Sequence, residues 1–149
     1  MRVAIGADHA GYNYKNEIVS FLQEKGYEMM DFGADTPEAT DYPDFAVLVA
    51  KAVSMGKCDF GVLICGTGIG MSIAANKVKG VRAAVVSTEF TAESSKTHNH
   101  ANVICFGSRV NSIEEVLNFL EIYINTEKSP DERHINRVEK IGKYEEENE

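Results

Sequence analysis

Long apolar runs are missing from this chain, and so are the cysteine and basic-residue patterns that define several common classes. No segment approaches the roughly 20 apolar residues that a membrane-spanning helix needs. The N-terminal MRVAIGADHAG carries too short an apolar run for a signal peptide, because Asp8 and His9 interrupt it. A cytoplasmic protein with no membrane partner is expected. Three cysteines, Cys58, Cys65 and Cys105, are too few and too far apart for a disulfide framework, and no CxxC pair suggests zinc. Fifteen Lys and Arg stand against 23 Asp and Glu, a formal net charge of -8. That balance argues against non-specific binding of nucleic acid, which needs basic patches. An anionic small molecule stays open, provided a few Arg and His residues converge on one pocket. The 149 residues, 44% hydrophobic and 26% charged, suit one soluble domain spanning 1–149.

The glycine-rich stretch LICGTGIG, residues 63–70, also lacks the marks of the commoner templates. A dinucleotide fingerprint started at Gly66 needs glycine at 71, where Met71 stands. A P-loop needs Gly-Lys-Ser/Thr at its end, and a cysteine phosphatase loop needs Arg where Met71 sits. What is present is an apolar strand ending at Cys65, then Gly66, Gly68 and Gly70 at alternate positions, then a helical MSIAANK. Such glycines let backbone N–H groups converge on one spot at a helix N-terminus, a place for an anion or a developing oxyanion. The same field favours the thiolate of a nearby cysteine. A cysteine ending an apolar strand is usually a small buried hydrophobe, which is how Cys58 and Cys105 read. The CGTGIG setting makes Cys65 a candidate base or nucleophile instead.

Apolar runs and helical spacings alternate along the chain. Strands are expected at 2–6, 27–32, 60–65, 82–86 and 102–107. Helices are expected at 11–25, 44–55, 70–76, 89–98 and 112–125. Five such alternations imply right-handed crossovers and a parallel sheet covered on both faces. A last helix, DERHINRVEKIGKY, has no strand to follow and is free to pack on a partner subunit; the acidic KYEEENE is expected to fray. Ligands of such sheets bind beyond the carboxyl ends of the strands, at the switch in strand order. In the order 2-1-3-4-5, Asp8, His9 and Cys65 share that crevice. His98 and His100 in THNHANV are either a metal pair without a third ligand, an acid/base, or surface residues. Arg133 and Arg137 lie on one helix face, as a solvated face or a phosphate clamp.

ADHAGY, TDYPDFA, GVLICGTGIGMSIAANK, HNHANV, CFGSRV and RHINRV together resemble the ribose-5-phosphate isomerase B family, in order over nearly the whole chain. The resemblance implies a Rossmann-like three-layer α/β/α sandwich and a metal-free, cofactor-free interconversion of ribose 5-phosphate and ribulose 5-phosphate in the pentose phosphate pathway. It implies a homodimer or homotetramer with the active site at the subunit interface, residues 131–149 reaching the partner. It assigns Cys65 as the base moving a proton between C2 and C1, with Thr67 supporting it. Asp8 and His98 would open the furanose ring. Gly66, Gly68, Gly70 and Asn99 would hold the enediolate oxygens, and Tyr42 would line the sugar pocket. His9, Arg133 and Arg137 would bind phosphate, Arg109 assisting from an adjoining chain. His100 receives no role. The same chemistry on a six-carbon sugar phosphate, a non-catalytic sugar-phosphate sensor and a Cys–His hydrolase are the alternatives. The full set of site residues on one chain favours the ribose enzyme.

Overall fold

In the computed structural model, which describes residues 1–148, the elements run β1 (Arg2–Ala7), α1 (Tyr12–Glu24), β2 (Glu28–Asp31), α2 (Tyr42–Ser54), β3 (Phe60–Cys65), α3 (Ile69–Ala75), β4 (Ala83–Val85), α4 (Glu89–Thr97), β5 (Val103–Gly107), α5 (Ile113–Asn125) and α6 (Glu132–Glu147). All strand pairs are parallel. The alternation of side chains along the central strands divides the core. Val3, Ile5, Val62, Ile64, Ile104 and Phe106 point to the face covered by α1, α4 and α5. Ala4, Leu63, Cys65, Val103 and Cys105 point to the face covered by α2 and α3. The result is a three-layer α/β/α sandwich, with α6 added at one edge.

The strand order is β2-β1-β3-β5-β4, which corrects the expected 2-1-3-4-5. The reason lies in the two strands themselves. β5, VICFG, is buried along its whole length, whereas β4 has three residues and is only half-buried. A strand apolar on both faces is stable only between neighbours, and the short one is left at the edge. The chain leaves β3 through α3 on one face, skips a position to β4, and returns through α4 on the other face, so both crossovers keep the right hand.

The order has two consequences for function. Cys65 is paired with Gly107, so the turn after β5 lies directly beside the glycine loop. And because each helix runs back against its strand, the C-terminal turn of α4 sits at the opposite end of the sheet. Asn102 there accepts from Arg82 N and donates to Gly80 O, and its own carbonyl accepts from Gly61 at the entrance to β3. The six residues of β3 separate that entrance from Cys65 by roughly 17–20 Å.

The C-terminal part of α6 faces the β4 edge, where Ile141 and Tyr144 line a cavity together with Val81 and Ala83. α6 stays helical to Glu147 where fraying is expected, because the Glu145 carboxylate accepts the Gly80 N–H at 3.1 and 3.2 Å and ties down the last turn. Among the described residues no helix is long and apolar enough to cross a membrane.

One buried ion pair fastens α1 to β2. Lys15 Nζ lies 2.7 Å from Asp31 Oδ2, with the side chains 3% and 37% exposed. Removing the carboxylate strands an ammonium in a closed site, whereas removing the ammonium leaves a half-hydrated carboxylate still bonded to Gly33 N–H. Asp31→Ala is expected to cost about 3 kcal/mol of unfolding free energy, and Lys15→Met about 1 kcal/mol or less. Urea denaturation of the two variants measures the difference.

Candidate active site

The carboxyl ends of β1 and β3 bring the first group together. Asp8 follows β1, is buried, and its N–H donates to Ile64 O at 3.3 Å. Its Oδ1 accepts from Ala10 N (3.0 Å) and Gly11 N (3.2 Å), which holds the carboxylate at the opening turn of α1 and leaves Oδ2 for a ligand. Gly11 is required here by contact rather than by torsion: a Cβ would stand 2.5 Å from Ile64 O. The His9 backbone N–H donates to Thr40 Oγ1, and His9 Nδ1 accepts from Thr40 N, both at 3.2 Å. The ring is thereby oriented with Nε2 as the outward donor. Thr40 was not singled out in the sequence, although it opens the TDYPDFA stretch.

Cys65 is 6% exposed and its Sγ accepts from Gly68 N at 3.1 Å. Gly68 has φ +81, and a Cβ there would press on the Cys105 and Phe106 backbones. Only glycine turns its N–H back onto the sulfur at this point. The Gly68 donor is therefore aimed at the thiol rather than at a ligand oxygen. Thr67 Oγ1 accepts from Ile69 N at 3.2 Å and closes the first turn of α3. Tyr42 opens α2 with its ring over Gly70, where a Cβ would fall 2.6 Å from the ring.

Arg109 also belongs to this group, on the same chain rather than from an adjoining one. Its N–H donates to Gly66 O at 3.0 Å, Ser108 N donates to Cys65 O at 2.9 Å, and its guanidinium lies over Gly66. The adjacency of β3 and β5 makes this contact, so the assumed strand order concealed it.

The second group lies at the other end of the sheet. His98 caps α4, and its ring stacks on His134 of α6 at 4.3 Å between centroids and 16° between planes. Asn99 lines a cavity of about 690 Å³ between the β4 edge and α6, with Val81, Ala83, Ile141 and Tyr144. Arg133 pairs with Asp131, the N-cap of α6, at 2.9 Å, and that guanidinium holds the Asp131 carboxyl down to about 2. Arg137 is exposed on the same helix. The stacking of His134 on His98 depends on where α6 docks, which no local pattern encodes. Asp8, His9, Tyr42, Cys65, Thr67, the glycines and Arg109 thus form one half-site, and His98, Asn99, Arg133 and Arg137 another, a strand's length away. Among the described residues no three His, Cys, Asp or Glu side chains are grouped to hold a metal ion.

A parallel sheet with its thiol, carboxylate and glycine loop at the switch point defines a Rossmann-like α/β/α protein with a small-molecule site. The chain belongs to the Ribose/Galactose Isomerase family, whose model matches residues 3–141. It is 46% identical over 140 residues to ribose-5-phosphate isomerase B of Escherichia coli, covering 94% of this chain and 93% of that one. The solved ribose-5-phosphate isomerase B of Clostridium thermocellum superposes with a TM-score of 0.97 at 47% identity, covering both chains fully. The Mycoplasma genitalium enzyme, solved with bound ribulose 5-phosphate, gives 0.94 at 40% identity, covering 98% of this chain and 97% of that one.

The three thiols differ sharply. Burial pushes the Cys58 and Cys105 thiols up, Cys105 far up, while Cys65 holds a backbone donor at the crevice mouth. Iodoacetamide at neutral pH is expected to alkylate Cys65 at least about tenfold faster than the other two, as peptide mapping by mass spectrometry will read.

Proposed function

We propose that this chain is a ribose-5-phosphate isomerase, acting on ribose 5-phosphate and ribulose 5-phosphate within the pentose phosphate pathway. The observation that carries the reading is the Cys65 sulfur held by the Gly68 N–H beside Asp8 at the mouth of the switch-point crevice. Membership of the family and the likeness to a ribulose 5-phosphate complex support it.

In this reading Asp8 and His98 open the furanose by moving a proton from the C1 hydroxyl and to the ring oxygen. The Cys65 thiolate takes the C2 proton of the open aldose, and the electron pair moves to the carbonyl oxygen, giving an enediolate. The proton on the C2 oxygen then passes to the C1 oxygen, the C2 oxygen becomes a carbonyl, and the same thiol returns its proton to C1, so no atom is gained or lost. The amides of Gly66 and Gly70, with Asn99, face the oxygens on which charge develops. Thr67 keeps the loop closed beside the sulfur, and Tyr42 bounds the sugar. His9 Nε2 and the guanidiniums of Arg109, Arg133 and Arg137 bind the phosphate, and that remote binding holds the carbons in register with the base.

The two half-sites meet only if a second copy supplies one of them. We infer a two-fold homodimer in which the Cys65 end of each chain faces the His98 end of its partner. Exposed Ile69 and Ile73 on α3, beside the glycine loop, and the apolar-walled cavity next to Asn99 are complementary surfaces for that contact.

Two measurements test this. Cys65→Ala is expected to lower kcat for ribose 5-phosphate by about 10³-fold in a coupled assay, with KM little changed. Allose 6-phosphate serves as the six-carbon comparison in the same assay. Unchanged turnover would assign the proton to another group, and a wild type inactive on both sugars would leave a sensor. Refolding Cys65→Ala together with Arg137→Ala in equal amounts is expected to restore about a quarter of wild-type activity, since half the dimers are mixed and each carries one intact site of two. No recovery would place both groups in a single-chain site.

A further inference from the structure

The segment between β2 and α2, residues 32–41, crosses the carboxyl end of the sheet, and its two ends grip the chain on either side of Asp8. At the near end both polar groups of Ala7 are taken. Ala7 N–H donates to Gly33 O and Ala34 N–H donates to Ala7 O, each at 2.7 Å. At the far end His9 N–H donates to Thr40 Oγ1 and Thr40 N–H to His9 Nδ1, both at 3.2 Å. Tyr42, whose ring covers Gly70, comes next but one in the chain. The middle of the segment, 35–39, is exposed, so its path is set from its ends.

One side chain fixes the near end. Asp31 Oδ1 accepts the Gly33 N–H at 2.9 Å, in a turn that favours glycine because Gly33 has φ +102. Gly33 is buried, and a buried N–H needs an acceptor. The other carboxylate oxygen, Oδ2, is held by Lys15 Nζ of α1 at 2.7 Å. Stability alone does not call for this pair, since apolar side chains of similar volume often replace a buried ion pair without loss. What an apolar pair cannot supply is the oxygen that Gly33 N–H uses.

We infer that Asp31 is a positioning residue for the site: by holding Gly33 it sets the path of residues 33–41, which frame Asp8, orient the His9 ring through Thr40 and deliver Tyr42 to the sugar pocket. The inference rests on the roles proposed for Asp8, His9 and Tyr42 in the isomerase. Lys15 neutralises the carboxylate that does the holding. The contacts run without a gap from Lys15 to Asp31, Gly33 and Ala7, and the next residue is Asp8. Cys65 ends β3 and lies outside this chain of contacts. Loss of the Asp31 oxygen releases the Gly33 N–H, and the segment that follows leaves its place against Ala7 and His9.

The test uses the full-length chain in a Lys15→Met background, so that no variant holds an unpaired buried ammonium. Lys15→Met alone and Lys15→Met with Asp31→Asn keep a side-chain oxygen for Gly33. Lys15→Met with Asp31→Leu and Lys15→Met with Asp31→Ala do not. Ring ¹H–¹⁵N spectra of His9, urea denaturation and steady-state kinetics are recorded on each. The two oxygen-keeping variants are expected to match wild type in His9 signals and in KM for ribose 5-phosphate. The two oxygen-free variants are expected to lose the single His9 tautomer, the Nδ1 and Nε2 signals moving toward a common average. Their KM is expected to rise about tenfold, with a smaller fall in kcat because the contacts of Cys65 are intact.

A lowered urea midpoint with His9 signals and KM at wild type in the oxygen-free variants is what a purely structural role gives, and it would overturn the proposal. Equal damage in the Asp31→Asn variant would overturn it too. So would failure of both oxygen-free variants to fold beside a folded Asp31→Asn variant, which assigns Asp31 to stability. If the wild type proves inactive on ribose 5-phosphate, the His9 signals alone still decide the matter, because they report the grip of Thr40 and not the chemistry.

Discussion

The direction of five parallel strands is the constraint on which the rest of this molecule depends. Every strand-to-helix turn faces one end of the sheet and every helix-to-strand turn faces the other. Asp8 and Arg109 follow strands and Cys65 ends one; His98 and Asn99 precede one. No local rearrangement can bring the two sets together, because the strands between them are continuous and buried. On the proposed reading a single chain presents two halves of a site, and two-fold association completes both at once. In the proposed dimer the cavity at the β4 edge and the exposed isoleucines of α3 are the surfaces that meet.

Within the Cys65 half, packing and chemistry are the same arrangement. Gly68 is left-handed because the loop must pass close to the β5 backbone, and that torsion also turns its amide onto the sulfur. Gly66 is bare because the Arg109 guanidinium occupies the space a side chain would take. Gly70 is bare because Tyr42 does. Each glycine of the CGTGIG loop thus answers to a particular neighbour. A thiol with a fixed donor, beside a carboxylate whose Oδ1 is held by two amides, is suited to carrying a proton between adjacent carbons and stabilising the oxygen that gains charge.

Much of this was legible in the sequence. The alternation of apolar runs with helical spacings fixes the α/β class, and the glycine loop after an apolar strand marks the ligand end. The boundaries of the strands and of the first five helices fall within two residues of those expected, while α6 runs three residues further than expected. What a linear reading missed is long-range. The exchange of β4 and β5 follows from relative burial, visible in hindsight in the short AAV against VICFG, and it moved Arg109 onto its own chain's loop. The pairing of His98 with His134, and of His9 with Thr40, joins residues more than 30 positions apart, where no periodicity carries information. The separation into two half-sites was accessible in principle: helix direction alone places the end of α4 opposite the end of β3. The motif segments, read as one set, hid it.

The measurement that bears most directly on the central claim is a crystal structure of this protein with ribose 5-phosphate or ribulose 5-phosphate bound. The expected result is a sugar whose C1 and C2 lie within about 3.5 Å of the Cys65 sulfur of one chain, while Arg133 and Arg137 of the other chain hold its phosphate. A sugar phosphate bound wholly by residues of one chain, or seated away from Cys65, would contradict it.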